Sequence, residues 1–143
     1  MSTTPGVNAL DHVLVLSDDI ERSRDFYEGA LGLHAGPRPP LEFDGFWLYA
    51  SERPCLHIAH RGSYRAHAQT LGLAVPERAG GPGPVDHIAF VAHDYDAVCQ
   101  RLERCDIQPV RNDVPGGGPR QFFFFDPDGA RVEINVPAND PEV

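Results

Sequence analysis

Apolar and polar positions along the chain fall into two similar series. The run Leu10-Asp11-His12-Val13-Leu14-Val15-Leu16 predicts a strand, and Val85-Asp86-His87-Ile88-Ala89-Phe90-Val91 repeats it at an offset of 75 residues with the Asp-His pair identical. Each run meets an acidic helix start, Asp18-Asp19 in one copy and Asp94 in the other, where a carboxylate can accept from free first-turn amides. Asp18 and Glu21 have capping-box spacing. Ile20, Tyr27, Ala30 and Leu31 then recur as one face of a helix, as do Tyr95, Val98, Leu102 and Cys105. The ends of the copies also correspond: Phe46-Trp47-Leu48-Tyr49 matches Phe122-Phe123-Phe124-Phe125, and Leu56-His57-Ile58 matches Val132-Glu133-Ile134, now at an offset of 76. One residue of drift is a single insertion. With Asp126-Pro127-Asp128-Gly129 as a turn between strands, each copy reads strand, helix, then two or three strands.

This pattern predicts an α+β fold rather than a doubly wound parallel sheet. Two βαβββ modules, residues 8–60 and 85–137, would form a curved mixed sheet, a cup with its helices on the outer face. Residues 61–84 are rich in Gly, Pro, Ala and Arg without a clear period, which predicts a linker, and residues 138–143 read as a frayed tail.

Composition narrows the chemistry. All 12 basic residues are arginine, against 21 acidic ones, for a net charge of −9. The absence of lysine removes Schiff-base and P-loop chemistry, and the acidic balance argues against nucleic acid as a partner. No apolar run is long enough to span a bilayer, and Met1-Ser2-Thr3-Thr4-Pro5 has no signal-peptide character, so the expected location is the cytoplasm, with no membrane partner. Cys55, Cys99 and Cys105 suggest neither a disulfide framework nor a thiolate zinc site. Seven histidines direct attention to metal or acid/base chemistry.

The repeat pairs four polar positions, His12 with His87 and His57 with Glu133. A single histidine in a strand is more often a hydrogen-bonded core or surface residue than a ligand. Two equivalent pairs, all able to hold a divalent metal, are not what packing alone would produce. In each strand the candidate faces away from apolar neighbours: Leu56 and Ile58 oppose His57, Ile88 and Phe90 oppose His87, and Val132 and Ile134 oppose Glu133. Three imidazoles and a carboxylate suit one divalent transition metal, Fe, Ni, Co, Mn or Zn, better than Mg or Ca. His34, His60, His67 and His93 have no repeat partner and read as surface or loop residues.

These residues carry a family resemblance. The paired copies, Asp11-His12-Val13, the helix Arg24-Asp25-Phe26-Tyr27 leading to Leu31-Gly32-Leu33, and Asp86-His87-Ile88-Ala89-Phe90 with Asp126-Pro127-Asp128-Gly129 before Val132-Glu133-Ile134 resemble the vicinal oxygen chelate superfamily over residues 8–137. That group includes glyoxalase I, methylmalonyl-CoA epimerase, extradiol dioxygenases, fosfomycin-modifying enzymes and metal-free bleomycin-binding proteins. The resemblance implies that His12, His87 and Glu133 are metal ligands, with His57 at the fourth position, where glyoxalases and the epimerase place Glu or Gln. A ligand carboxylate also serves as base in glyoxalase-type proton transfer, which makes Glu133 and His57 the catalytic candidates here. Where bacterial glyoxalases carry an arginine that helps hold glutathione, this chain has Leu16. Extradiol dioxygenases resemble it in the His-His-Glu set, with His57 then a neighbour of Fe(II) available for proton transfer.

If the Asp126–Gly129 turn closes an even-numbered loop, Phe122 and Phe124 share a face with Glu133 and Arg131, and Arg120 lies opposite Asn135. That would make an aromatic-walled substrate pocket with Arg120 and Arg131 as its cations; a one-residue bulge reverses the faces. The leading expectation is a metal-dependent, glyoxalase-like lyase or isomerase on a small substrate with vicinal oxygens. The alternatives are a single-domain Fe(II) extradiol-type dioxygenase and a ligand-sequestering binding protein. Half-open sheets with edges to cover predict a homodimer.

Overall fold

The computed structural model describes residues 6–7, 9–75 and 85–140. In chain order its elements are β1 (Val13–Ser17), α1 (Ile20–Leu31), β2 (His34–Gly36), β3 (Gly45–Ala50), β4 (Arg53–His60), α2 (Arg61–Thr70), β5 (Ile88–Val91), α3 (Tyr95–Arg104), β6 (Val110–Asp113), β7 (Arg120–Phe125) and β8 (Arg131–Val136). They form two four-stranded sheets of identical plan, β1-β4-β3-β2 and β5-β8-β7-β6. The β1–β4 and β5–β8 pairs are parallel and the rest antiparallel. The fold is the two-module α+β arrangement that the repeat predicts.

Local chemistry sets the helix ends. The Asp19 carboxylate accepts the Arg22 amide at 3.1 Å, so the α1 cap falls one residue after the Asp18 of the capping-box reading. Asp94 accepts the Ala97 amide at 3.1 Å to start α3. Gly32, with φ of 71°, ends α1 in the left-handed conformation that glycine adopts without steric cost. Ile20, Tyr27, Ala30, Val98 and Leu102 bury the helix faces that their spacing marks out, while Cys105 at the end of α3 is exposed. These side chains join Leu48, Leu56 and Ile58 of one sheet and Phe122, Phe124, Val132, Ile134 and Val136 of the other in one core cluster. Each large apolar side chain buried there contributes about 1.5–3 kcal/mol.

The modules are joined by the turn of the second docking on the helix of the first. Tyr27 donates its hydroxyl to Asp126 Oδ2 at 2.7 Å, and Asp126 Oδ1 accepts the amides of Asp128 at 2.9 Å and Ala130 at 2.8 Å. Ser23 donates to Asp128 Oδ2 at 2.7 Å. Burial, reinforced by the Asp126 charge, pushes the Tyr27 phenol far above its ordinary pKa.

That turn corrects the pocket geometry expected from sequence. Because Asp126 gathers two amides two and four residues ahead, the connection runs over the five residues 126–130, an odd number. Phe122 then pairs with Ile134, Phe123 with Glu133, Phe124 with Val132 and Phe125 with Arg131. Phe122 and Phe124 are core residues, and Phe123 and Phe125 share the Glu133 face. Arg120 likewise pairs with Val136 rather than Asn135, and its guanidinium lies 3.3 Å over the Tyr95 ring on the helix side.

Two further expectations change. Residues 61–70 of the expected linker are α2, a largely polar helix capped by His60 accepting the Ser63 amide at 3.2 Å and tied down by buried Ala68; residues 76–84 lie outside the described residues. The tail is anchored as far as Asp140, which bonds His93 Nδ1 at 2.5 Å and the Asp94 amide at 2.6 Å; residues 141–143 are outside the described set.

Candidate metal centre

Strand alternation sends His57 and Glu133 to the face of each sheet opposite the core, where each lies beside the leading histidine of its own module. On the first sheet, Trp47 of β3 pairs directly with His57 of β4, and the rings stack at 4.2 Å and 11°. His12, just before β1, stacks on the other side of His57 at 3.7 Å and 12°. The three rings form a row, Trp47, His57, His12. Burial, with the nearby His12 next in effect, lowers the His57 pKa from 6.5, which favours the neutral imidazole that a metal requires. His57 Nε2 donates to the Pro54 carbonyl at 3.1 Å, leaving Nδ1 as the unprotonated nitrogen of the neutral ring.

On the second sheet, His87 Nε2 lies 3.4 Å from Glu133 Oε1. Glu133 is buried, 7% exposed, although its face is otherwise the open one. The Asp-His dipeptides do the same work in both modules: Asp11 Oδ2 meets His12 Nδ1 at 2.5 Å, and Asp86 Oδ2 meets His87 Nδ1 at 2.8 Å. A carboxylate on Nδ1 fixes the ring and leaves Nε2 free for coordination, a common arrangement around metal-binding histidines. Those hydrogen bonds hold the carboxyl groups of Asp11 and Asp86 below the usual carboxylate range.

Of the four candidate ligands, the structure therefore brings together His12 with His57 and His87 with Glu133. The two pairs stand on separate sheets, and among the described residues no three His, Cys, Asp or Glu side chains form a set able to hold a metal. Three imidazoles and one carboxylate are donor types that suit a divalent transition metal, two of them on each sheet.

Of the substrate-binding candidates, Arg131 shares the Glu133 face, but its guanidinium is paired with Asp86 through two 3.1 Å contacts and lies over Phe125 at 5.2 Å. Phe123, Phe124, Phe125, Val110, Ile107, Gln108 and Arg131 line a cavity of about 530 Å³, which Phe123 adjoins as the strand partner of Glu133. Arg120 and the core residues Phe122 and Phe124 do not belong to the His87–Glu133 face, although Phe124 reaches the lining of that cavity.

The paired βαβββ modules repeat these His and Glu positions, and residues 9–134 match the family model of the Glyoxalase/Bleomycin resistance protein/Dioxygenase superfamily. The chain belongs to that superfamily. Glyoxylase I 4 of Arabidopsis thaliana, a relative, is 30% identical over 131 residues, covering 90% of this chain and 70% of that protein. The uncharacterized protein YwkD of Bacillus subtilis is 28% identical over 141 residues, covering 90% and 96%. Among solved structures, a lactoylglutathione lyase from Agrobacterium tumefaciens superposes with a TM-score of 0.67 at 19% identity, covering 92% of this chain and 95% of that one. A fosfomycin resistance protein from Listeria monocytogenes superposes with a TM-score of 0.66 at 13% identity, covering 92% and 94%. At those identities the likeness is one of fold.

Within this superfamily frame, several residues at the site escape a reading of the sequence. Asp11 and Asp86 carry a signal, the identical dipeptide, that marks them as partners of the histidines. Trp47 and Phe123 would have needed the strand register, since each is the direct neighbour of a candidate ligand. Asn135, whose Nδ2 donates to Glu133 Oε2 at 2.6 Å, is two residues along the same strand face. No helix among the described residues is long and apolar enough to cross a membrane.

Proposed function

We propose that this protein is a metal-dependent, glyoxalase-like lyase or isomerase acting on a small substrate with vicinal oxygens. The observation that carries the reading is the pair of half-sites, His12 against His57 and His87 against Glu133, each with an aspartate holding its leading histidine. The names of the Arabidopsis relative, a glyoxylase I, and of the Agrobacterium lactoylglutathione lyase support the same class. A divalent transition metal, Fe, Ni, Co, Mn or Zn, held by His12, His57, His87 and Glu133 would supply Lewis acidity to two adjacent substrate oxygens. Glu133, the one carboxylate of the set, is the base that removes a proton from the carbon beside the polarised carbonyl and returns it to the neighbouring position. His57, kept neutral by burial and bonded through Nε2–H to the Pro54 carbonyl, would turn the lone pair of Nδ1 to the metal. Phe123 and Phe125 wall the substrate on the second sheet.

A homodimer is part of this reading. Exposed Leu10, Val85 and Val91 lie beside His12, His87 and the free edges β1 and β5, so a second copy would cover apolar surface and bring a first half-site to a second one. The test is elemental analysis and light scattering of natively purified protein, then removal of metal by chelator and return of each candidate ion to a panel of α-hydroxyketones and hemithioacetals. A dimer with stoichiometric transition metal and metal-restored turnover is the expected outcome. Protein without stoichiometric metal, or turnover indifferent to chelator, would sink the reading.

One observation favours a second reading. The His57 ring lies between two other rings with Nε2 turned to a carbonyl, a placement that suits a neighbour of the metal as well as a ligand. His12, His87 and Glu133 would then be the triad of an Fe(II) extradiol-type dioxygenase. Oxygen uptake with catechols after anaerobic Fe(II) loading separates the two, since a lyase ignores O₂.

A further inference from the structure

Glu133 is gripped from the side away from His87. Asn112, Gln121 and Asn135 lie at one register level across β6, β7 and β8, as direct strand partners. Their amides are linked in one sense: Asn112 Nδ2 donates to Gln121 Oε1 at 2.8 Å, Gln121 Nε2 donates to Asn135 Oδ1 at 3.1 Å, and Asn135 Nδ2 donates to Glu133 Oε2 at 2.6 Å. An ionised carboxylate only accepts, so its presence at the end of the row dictates which way every amide turns. Flipping any one of them would set oxygen against oxygen or nitrogen against nitrogen. The last bond is charge-assisted and short.

The fold itself does not demand this row. Gln121 and Asn135 correspond, 76 residues earlier, to Gly45 and Ala59, which pair in the same way in the first module and carry no polar side chain. The second module has the amides where the first does without them, and they terminate on its candidate ligand.

We propose that the row of Asn112, Gln121 and Asn135 is a positioning device for Glu133. It occupies Oε2 and so presents Oε1, the oxygen facing His87, as the metal donor. Asn135 is the positioning residue in contact, and Gln121 acts through it. The inference rests on the metal-centre reading above.

The test uses Co(II) with the full-length protein, Asn135→Ala and Gln121→Met. Affinity is read by competition with a chromophoric chelator, coordination by the visible Co(II) spectrum, and folding by the melting temperature of the metal-free protein. The parent binds Co(II); Asn135→Ala weakens it about 10–100-fold, the usual cost of losing a partner of a ligand, and shifts the spectrum. Gln121→Met, nearly isosteric and not touching Glu133, weakens binding in the same direction by less, while its metal-free melting temperature stays close to the parent's. If the parent binds and both variants match it in affinity and spectrum, the positioning role is overturned and the metal reading stands. If the parent itself binds no Co(II), the metal reading is overturned, and this inference with it. Should Asn135→Ala fail to fold, Gln121→Met decides by the same two readouts.

Discussion

On the first sheet His57 lies flat between His12 and Trp47, held by ring faces; on the second, the equivalent Glu133 accepts a hydrogen bond from Asn135 on one side and faces His87 on the other. The two sheets share strand order, register and the Asp-His dipeptide, so the difference lies in a few side chains placed on a common frame. An imidazole can be oriented by stacking because its ring is large and apolar on both faces. A carboxylate has no such surface and needs donors. Replacing a glutamate by a histidine at one of two equivalent positions thus calls for a different neighbourhood, and Trp47 against Phe123, with Ala59 against Asn135, is that neighbourhood.

The largest effect should come from Glu133→Gln, which keeps shape and removes the only carboxylate base of the set: turnover should drop about 10²–10⁴-fold in steady-state assays. His57→Ala should instead show first in reduced metal occupancy by elemental analysis. Unchanged occupancy would place His57 outside the ligand shell and make the two positions unlike in role as well as in surroundings.

Next in size is the joint between modules. Asp126→Ala leaves the Tyr27 hydroxyl, wholly buried, and two turn amides without their acceptor, and should cost about 3 kcal/mol in urea unfolding. Glu52→Ala, in the exposed turn of the first module, should stay within about 0.5 kcal/mol. Equal losses would mean that the Asp126 turn does not carry the coupling.

Smaller still is Trp47→Leu, which removes one stacking face from His57 and should cost about 1 kcal/mol, with the His57 ring resonances broadening in NMR spectra. The smallest effect concerns pH. Because burial lowers the His57 pKa from 6.5, the unfolded chain binds more protons than the folded one as pH falls past that value. Stability of the metal-free protein should therefore decline on acidification through that range and be indifferent to this group above it. Urea midpoints on either side, compared with His57→Phe, check the sign.

Much of the frame is legible in the residues. The offset of 75–76 locates both modules, and the strand alternation of Leu56-His57-Ile58 and Val132-Glu133-Ile134 sends the candidate donors to the non-core face. The face of Phe122 to Phe125 is not legible, because four consecutive phenylalanines have no alternation and the register hangs on whether the Asp126 turn spans an even or odd number of residues. The helix α2 is hidden for a related reason: Arg61-Gly62-Ser63-Tyr64-Arg65-Ala66-His67-Ala68 has one fully buried apolar residue and draws its start from His60. The amide row is invisible in sequence since its members, 112, 121 and 135, become neighbours only through two strand registers.

Gly45 has one more consequence. A β-carbon there would run into the Ile58 carbonyl, so the position opposite Ala59 is restricted to glycine and no amide can be installed in it by simple substitution. The first module is thereby barred from the outer part of the amide row, the counterpart of Gln121, unless the backbone at Ile58 shifts; the counterpart of Asn135 is Ala59, on which Gly45 places no such bar.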